Sequence, residues 1–275
     1  MDLLGVLSAL AAATIWGLVI FLYKRHMADL DPVSVNFSRL AYVALSMWPA
    51  ALFTAPSPGI LAAVFSGLIT LVVGDSLYFY AISKVGGSIA APLAYTYIII
   101  AQYFALLLGE SVSHMLFLSS ILIVVGVALL TKGGEARLSV PGLLAAAGTA
   151  LTWSAGMSAI KLASLGGVHP VAIAYLRATS AAAALGLYGL LTRRIRVVKS
   201  LPFAAASVLD LGVGSALFAL SVERTGLSLT TIVVSLSPLI AQLYAKATGL
   251  ESLTAKQILG GVAVFTAVAT AVATG

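Results

Sequence analysis

Apolar runs of about 20 residues follow one another along the whole chain, separated by short polar connections. An α-helix needs about 20 mostly apolar residues to cross the hydrocarbon core of a bilayer. Only 9% of the 275 residues are charged, whereas about a quarter are charged in an ordinary soluble domain. With 61% hydrophobic residues, the chain cannot cover a folded surface with polar groups. We therefore predict an all-α integral membrane protein, multi-pass in the cell membrane, with no soluble domain.

Charges, prolines and glycines divide the apolar runs into ten predicted transmembrane helices. Helices are favoured because an open sheet in lipid would leave backbone N–H and C=O groups unpaired. The alternating pattern of a membrane barrel is also absent. The predicted spans are 3–22, 33–53, 60–83, 86–108, 115–131, 141–163, 170–192, 202–221, 226–247 and 255–274.

The sequence repeats itself at an offset of about 137 to 140 residues. The offset drifts by only a few residues over a long stretch, which chance matches in this order would not produce. The matched positions are Trp16 with Trp153, Lys24 with Lys161, Arg39 with Arg177, Gly74 with Gly214, Gln102 with Gln242, and Glu110 with Glu251. We predict a first five-helix repeat at 1–131, a connecting loop at 132–140 and a second five-helix repeat at 141–275. Because five is odd, the second repeat enters the membrane from the opposite side, an arrangement found in many secondary transporters.

The basic residues are distributed unequally between the two sets of loops. About eleven lie in the loops after spans 1, 3, 5, 7 and 9, and about two lie on the other side. The positive-inside rule then favours both termini outside the cell. This rule also accounts for the net charge of +6 without a nucleic-acid partner.

Residues for metal, redox or hydrolytic chemistry are not grouped in the sequence. Cysteine is absent, and His26, His114 and His169 are isolated near span ends. No phosphate-binding loop or nucleophile–base set can be placed. We predict no metal, no cofactor and no enzymatic activity, although an intramembrane enzyme acting on lipid-linked substrates is an alternative.

Four charged residues lie more than one helical turn inside predicted spans, where charge is costly and faces the bundle interior or a wet cavity. Arg39 and Arg177 are equivalent, and each is either a structural lock or part of a functional site. Asp75 is expected at a depth similar to that of Arg39, which makes an ion pair between them plausible. Asp210 has Thr70 as its counterpart, so it is either an unpaired, proton-exchanging carboxylate or one satisfied by its neighbours.

Aromatic and amide side chains in the spans are candidate ligands for a solute. An aromatic cavity could stack a solute, although a packed aromatic core with an interfacial belt is the alternative. Midspan amides at equivalent positions are candidate site residues, and otherwise link helices. The substrate-binding candidates are Trp16, Tyr78, Tyr95, Gln102, Tyr103, Trp153 and Gln242. Gly74 and Gly214 are assigned to close helix packing or hinge motion, and Pro238 to a bend that its counterpart Ile98 does not share.

These matched segments resemble the drug/metabolite transporter superfamily, and specifically its ten-span EamA-type members. The resemblance rests on TIWG at 14–17, the segment beginning at Gly74, and LLLGES ending at Ser111, together with Lys24 and Arg39. TWSAG at 152–156 and VVSLSPLIAQ at 233–242 repeat the pattern. It implies a transporter or facilitator of small organic metabolites, with amino-acid-like solutes and export favoured. It also implies cytoplasmic termini, in conflict with the loop charges.

Alternating access is the mechanism that an inverted repeat favours. The partners expected are a small-molecule solute and membrane lipids. Whether the chain forms a homodimer is left open. A channel or a non-transporting membrane scaffold is the remaining alternative.

Overall fold

The computed structural model describes residues 2–24, 31–131, 138–193 and 195–274. Within those residues every regular element is helical and there is no strand. Of the predicted connecting loop 132–140, residues 132–137 lie outside the described residues. So do Arg25 and His26, and nothing is described of the Lys24 side chain. The all-helical class predicted from the sequence is confirmed.

Thirteen α-helices are described in these ranges. They are α1 (Leu3–Lys24), α2 (Pro32–Ser46), α3 (Gly59–Ser66), α4 (Asp75–Val85), α5 (Gly87–Tyr95), α6 (Tyr97–Leu107), α7 (His114–Leu130), α8 (Val140–Leu165), α9 (Pro170–Thr192), α10 (Leu201–Ser207), α11 (Ser215–Val234), α12 (Ser237–Ala247) and α13 (Ala255–Thr274). A 3₁₀ helix at Trp48–Phe53 follows α2, and π-helical turns occupy Gly67–Gly74 and Val208–Gly214.

Seven helical segments among the described residues are long and apolar enough to cross a membrane. They are Leu3–Tyr23, Gly59–Val85, Gly87–Leu107, Val140–Leu165, Pro170–Thr192, Leu201–Val234 and Ala255–Thr274. The α-helices at two other predicted spans are shorter than these seven segments, since α2 has 15 residues and α7 has 17. The protein is therefore a multi-pass membrane protein.

The second predicted span, 33–53, does not remain α-helical to its end. α2 stops at Ser46, and Pro49 lies near the start of the 3₁₀ turn at Trp48–Phe53. Proline has no N–H to donate and its ring crowds the preceding turn, so an α-helix does not continue through it without cost.

The two π-helical turns occupy equivalent places in the repeat. One runs continuously from α3 into α4, and the other runs from α10 into α11. π-helical turns are rare and are found frequently at functional sites. Here they precede or contain the two intramembrane carboxylates, Asp75 and Asp210.

Small residues bring the helices close together. Gly126 on α7 faces Gly260 on α13, where an added Cβ on Gly260 would lie 2.7 Å from the Gly126 carbonyl oxygen. Alanines with no exposed surface occur through the core, including Ala9, Ala12 and Ala146. Close approach through small residues is the usual basis of helix packing in membranes, where lipid supplies no hydrophobic drive between helices.

The helix ends form two opposite faces. We call the face that carries Asp2, Ser57, Glu110, Gly166 and Gly226 the terminal end. It is linked by the Asp2–Arg224 ion pair, the Ser57 hydroxyl bond to the Gly166 carbonyl, and the Glu110–Lys161 ion pair. The opposite end carries the start of α5, the end of α7 and the starts of α8 and α13. There, Gln257 Nε2 donates to the Leu130 carbonyl oxygen at 3.2 Å.

Candidate functional site

A cavity of about 290 Å³ lies between the two halves of the chain. It is bounded by both π-helical turns and by helices from each half. The polar and aromatic residues that line it are Trp16, Arg39, Thr70, Asp75, Tyr78, Tyr95, Tyr97, Trp153, Arg177, Asp210, Ser215 and Ser237. A larger recess of about 640 Å³ at the terminal end contains none of these residues. The chemistry of the interior is therefore concentrated in the smaller cavity.

Arg39 and Asp210 form an ion pair across the two halves. Arg39 Nη2 lies 2.6 Å from Asp210 Oδ2, and the Tyr23 hydroxyl donates to the same oxygen at 2.9 Å. The guanidinium also lies over the Tyr23 ring, 4.8 Å from its centroid. Of the two alternatives for Asp210, the structure has the carboxylate satisfied by its neighbours, whereas the expected pairing of Arg39 with Asp75 is wrong. The physical reason is that the second π-helical turn places Asp210 against α2, a contact that depth along the sequence cannot reveal.

Asp75 accepts a hydrogen bond from an indole instead of pairing with an arginine. Trp153 Nε1 donates to Asp75 Oδ1 at 3.1 Å. No Lys or Arg nitrogen of the described residues lies within 4.0 Å of this carboxylate. Asp75 is half-buried on the cavity wall, at the start of α4. It therefore retains acceptor capacity toward the cavity.

Arg177 is the counterpart of Arg39, but no carboxylate of the described residues lies within 4.0 Å of it. It is 5% exposed, and its Nη1 donates to the Ser215 hydroxyl at 3.4 Å. Among the described residues its Nε has no hydrogen-bond partner, and the same is true of Arg39 Nε and of Thr70 Oγ1 on the cavity wall. Buried polar atoms are nearly always hydrogen-bonded, so these three atoms of the cavity lining require an explanation.

The difference between the two arginines follows from the repeat. At the offset of Gly74 with Gly214, Asp210 corresponds to Thr70 and Asp75 corresponds to Ser215. Each half keeps its arginine. The second half has a serine where the first has Asp75, and the first half has a threonine where the second has Asp210. The cavity consequently holds one neutralised ion pair, one arginine without a carboxylate within 4.0 Å among the described residues, and one separate aspartate.

Aromatic rings cover the wall around Asp75. Trp153 lies 5.0 Å from Tyr78 and 5.9 Å from Tyr97 between ring centroids, and Tyr97 lies 5.7 Å from Tyr95. The Tyr95 hydroxyl is 3.5 Å from Ser237 Oγ. On the other wall, Trp16 packs 5.7 Å from Phe218, and its Nε1 donates to the Asp210 carbonyl at 3.2 Å.

Gly74 and Gly214 each provide the surface on which one tryptophan rests. A Cβ on Gly74 would lie 2.6 Å from Trp153 Cδ1, and one on Gly214 would lie 2.7 Å from Trp16 Nε1. Only glycine allows each indole to approach its π-helical turn so closely. The packing role predicted for these two glycines thus has a specific partner in each half.

Besides Gly74 and Gly214, four predicted site residues are not part of the cavity lining. Gln102 is fully buried; it accepts a hydrogen bond from the Ser228 hydroxyl and donates to the Ile98 carbonyl at 3.1 Å. Gln242 donates to the Leu130 carbonyl at 2.5 Å. Their bonds match the alternative that the sequence left open, in which midspan amides link helices.

The other two are Tyr103 and Pro238. Tyr103 is 59% exposed and packs edge-on against Phe117. Pro238 lies in the first turn of α12, one position beyond Ser237 of the cavity wall. The helix break near Pro238 has a counterpart at Thr96 between α5 and α6, so proline is not required for it.

Sequence reasoning did not select Tyr23, Tyr97 or Ser215 for the site. Tyr97 is one of several tyrosines in the predicted spans 60–83 and 86–108, and the sequence does not distinguish it from the others. Tyr23 and Ser215 carry no distinctive pattern. The one available signal was the loss of charge at Ser215 relative to Asp75 in the repeat.

The cavity is charged and aromatic, and it lies between the two halves of an all-helical, multi-pass bundle. Membrane transporters built from two repeats commonly have their solute site in such a place. The sequence profile of the EamA-like transporter family matches residues 3–132 and again residues 140–273. The chain belongs to the EamA-like transporter family, within the drug/metabolite transporter superfamily, as the sequence resemblance predicted.

Two individual proteins are similar to this chain. An uncharacterized transporter of Archaeoglobus fulgidus is 27% identical over 158 residues, which cover 55% of this chain and 56% of that protein. The match thus spans about half the length of that curated relative. A protein of known crystal structure is 18% identical and superposes with a TM-score of 0.80 over 98% of both chains, which supports the fold. The matched family is one of transporters, and the Archaeoglobus fulgidus relative is itself named as a transporter.

Proposed function

We propose that this protein is a secondary transporter or facilitator, not an enzyme, that moves an amino-acid-like solute across the cell membrane by alternating access. Export is the direction that the family resemblance favours. The proposal includes ten crossings in two inverted five-helix repeats, bounded near 1–131 and 141–275. The count of ten is supported by adding α2 and α7, as short crossings, to the seven long segments. The remaining crossing comes from dividing Leu201–Val234 at Gly226, where φ is +88°.

The observation that carries the solute class is the pair of separated opposite charges, Arg177 and Asp75, on one cavity wall. An amino acid carries a carboxylate, whose charge is opposite to that of Arg177, and an ammonium group, whose charge is opposite to that of Asp75. A guanidinium binds a carboxylate through charge-assisted hydrogen bonds. Asp75 has acceptor capacity for the ammonium group, and Trp153 and Tyr78 supply aromatic faces for a cation or a side chain.

The two aspartates have different roles in this proposal. Asp210 is held by Arg39 and Tyr23 and keeps the two halves in register. Asp75 accepts only the Trp153 indole N–H, so it is the carboxylate that binds the ammonium group or exchanges a proton. Coupling to a proton gradient is therefore assigned to Asp75, in place of the coupling predicted for Asp210.

The test of solute recognition is binding by purified protein, measured as thermal stabilisation, for amino acids and for their amide derivatives. Ligands that bind the folded state raise its apparent stability by mass action. In Arg177→Gln we expect affinity for amino acids to fall by about tenfold or more, the scale of a lost hydrogen bond to a charged group. Affinity for the amides, which lack the carboxylate, should change little.

Arg224→Gln is the matched control, because Arg224 is exposed at the terminal end. Equal losses for acids and amides in Arg177→Gln would contradict the assignment of the carboxylate. Counterflow in proteoliposomes then separates a carrier from a channel. Flux that rises linearly with solute concentration would support the channel alternative and exclude alternating access.

A further inference from the structure

Glu110 caps a helix of the other half at the terminal end. Its two carboxylate oxygens accept hydrogen bonds from the backbone N–H groups of Leu227 at 2.6 Å and Ser228 at 3.0 Å. Lys161 Nζ lies 3.1 Å from the same carboxylate, and both side chains are 14% exposed. Three segments distant in sequence are thereby joined at one point.

The helix Ser215–Val234 is interrupted at Gly226, next to the two amides that Glu110 binds. Gly226 has φ +88° and ψ 168°, a conformation open essentially to glycine alone. The helix restarts at Leu227 with backbone N–H groups that have no partner within the helix. Glu110 fills this helix end so closely that a Cβ on Gly226 would lie 2.8 Å from Glu110 Oε2.

The first half contains the same backbone break at the opposite end of the molecule. Gly86, the counterpart of Gly226, has φ +78° and ψ 159°, and α5 begins at Gly87. Among the described residues the N–H groups of Gly87 and Ser88 have no hydrogen-bond acceptor, and nothing lies within 4 Å of a Cβ placed on Gly87. Gly87 is exposed, whereas its counterpart Leu227 is fully buried.

Glu251, the counterpart of Glu110, follows a turn of the same form as the turn that precedes Glu110. Gly109 has φ +84°, and the Glu110 N–H donates to the Ala105 carbonyl at 2.9 Å. Gly249 has φ +69°, and the Leu250 and Glu251 N–H groups donate to the Ala245 carbonyl at 2.9 Å and 3.2 Å. Both turns therefore present a glutamate after a left-handed glycine. Lys24 is the sequence counterpart of Lys161.

We propose that Glu110 and Glu251 are alternating gate residues: Glu110 closes the terminal end by binding the Leu227 and Ser228 amides, and Glu251 closes the opposite end by binding the Gly87 and Ser88 amides. The present structure has the first gate formed and the second helix end exposed. This inference rests on the proposed alternating access but not on the identity of the solute. It identifies Glu110 and Glu251 as residues that set which end is closed.

The test measures distances between spin labels at each end, in protein reconstituted in lipid nanodiscs. The chain has no cysteine, so introduced cysteines are labelled without background. Ser111→Cys with Glu223→Cys reports on the terminal end, and the equivalent pair Ser252→Cys with Ser83→Cys reports on the opposite end. All four positions are exposed.

In Glu110→Gln we expect the terminal-end distance to lengthen and the opposite-end distance to shorten. The ratio of the two populations should change by about tenfold or more, as expected for lost hydrogen bonds to a charged group. Glu251→Gln should instead favour the closed terminal end. Unchanged distances in Glu110→Gln, or shifts in the same direction for both variants, would overturn the proposal.

Gly87 supplies a matched pair of variants for the second gate. Proline is tolerated in the first turn of a helix but has no N–H to donate. In the Glu110→Gln background, Gly87→Pro should reverse the shift, whereas Gly87→Ala, which keeps the N–H, should leave it in place. The same behaviour in the two double variants would overturn the assignment of the second gate.

Lys161→Gln is a milder variant that serves if Glu110→Gln does not fold. It keeps the amide bonds of Glu110 and removes only the ion pair, so a smaller shift in the same direction is expected. Unchanged distances in Lys161→Gln would then overturn the proposal. Because the labels report without any solute, this result is independent of the binding measurements on Arg177.

Discussion

Arg39 and Arg177 are related by the repeat, yet only Arg39 has a carboxylate partner within 4.0 Å among the described residues. A buried arginine that lacks a counter-charge is costly unless a ligand supplies one. Arg177 bonds the Ser215 hydroxyl, and in the proposed function its counter-charge is the carboxylate of the solute. Divergence between the repeats at single residues thus converts a symmetric scaffold into an asymmetric site.

The Arg39–Asp210 pair gives a stability prediction at this scale. Asp210→Asn removes the charge that balances Arg39, whose side chain is 14% exposed. Breaking one partner of a buried pair costs about 3–5 kcal/mol, and we expect a loss of this order in thermal unfolding of the purified protein.

Asp2→Asn is the matched control for Asp210→Asn. Asp2 pairs with Arg224 at 3.6 Å, and their side chains are 33% and 47% exposed. Exposed pairs contribute about 0–1 kcal/mol, and asparagine still caps the start of a helix. Similar losses in the two variants would argue against a special role for the buried pair.

Broken helices are the main departure from ten simple spans at the scale of elements. The π-helical turns bound the cavity between the two halves, and Gly226 at positive φ lies against Glu110 of the other half. Irregular backbone is tolerated inside a membrane where it is buried in protein or lines a cavity. These breaks consequently locate the cavity and its two ends.

Gly226→Ala is predicted to destabilise the terminal end. Alanine does not readily adopt φ +88°, and strain of this kind costs on the order of 1–3 kcal/mol. Its Cβ would also displace the Glu110 carboxylate. Hydrogen exchange at the Leu227 and Ser228 amides should accelerate relative to the unmodified protein.

Gly87→Ala is the control for that substitution. Gly87 directly follows Gly86, the left-handed counterpart of Gly226, but is not itself at positive φ, and a Cβ there meets nothing within 4 Å. We expect no loss of stability. An equal effect of Gly87→Ala and Gly226→Ala would show that neither backbone strain nor Glu110 explains the result.

The last helices of the two halves, α7 and α13, hold the molecule together at its largest scale. Gly260 packs on backbone atoms of α7, because an added Cβ would lie 2.7 Å from the Gly126 carbonyl oxygen and 2.8 Å from the Leu130 nitrogen. A Cβ on the neighbouring Gly261 would meet Leu239 Cδ1 at 2.8 Å and Leu130 Cδ2 at 3.9 Å, both of them ends of side chains that can rotate.

Gly260→Ala should therefore destabilise the protein more than Gly261→Ala. Overpacking against atoms that cannot move costs about 1–3 kcal/mol. The measurement is thermal unfolding of both variants in the same lipid or detergent. A larger loss for Gly261→Ala would contradict the close backbone contact between α7 and α13.

The amino-acid sequence alone determined the membrane class, the positions of the apolar helices, the repeat and the family. Those properties depend on composition, on run length and on matches at a constant offset, and all of these are local or periodic. It also selected most of the charged and aromatic residues of the cavity, because charge and tryptophan are unusual at midspan.

Only the tertiary structure decided which of these residues meet. Asp210 binds Arg39 across 171 positions of sequence, and Asp75 binds the Trp153 indole across 78. The same holds for Gln102 and Gln242, whose equivalence predicted a shared site but whose bonds go to neighbouring helices. The physical reason is that π-helical turns and glycine breaks rotate and shift helix faces, and long-range pairing depends on that rotation, not on depth along each span.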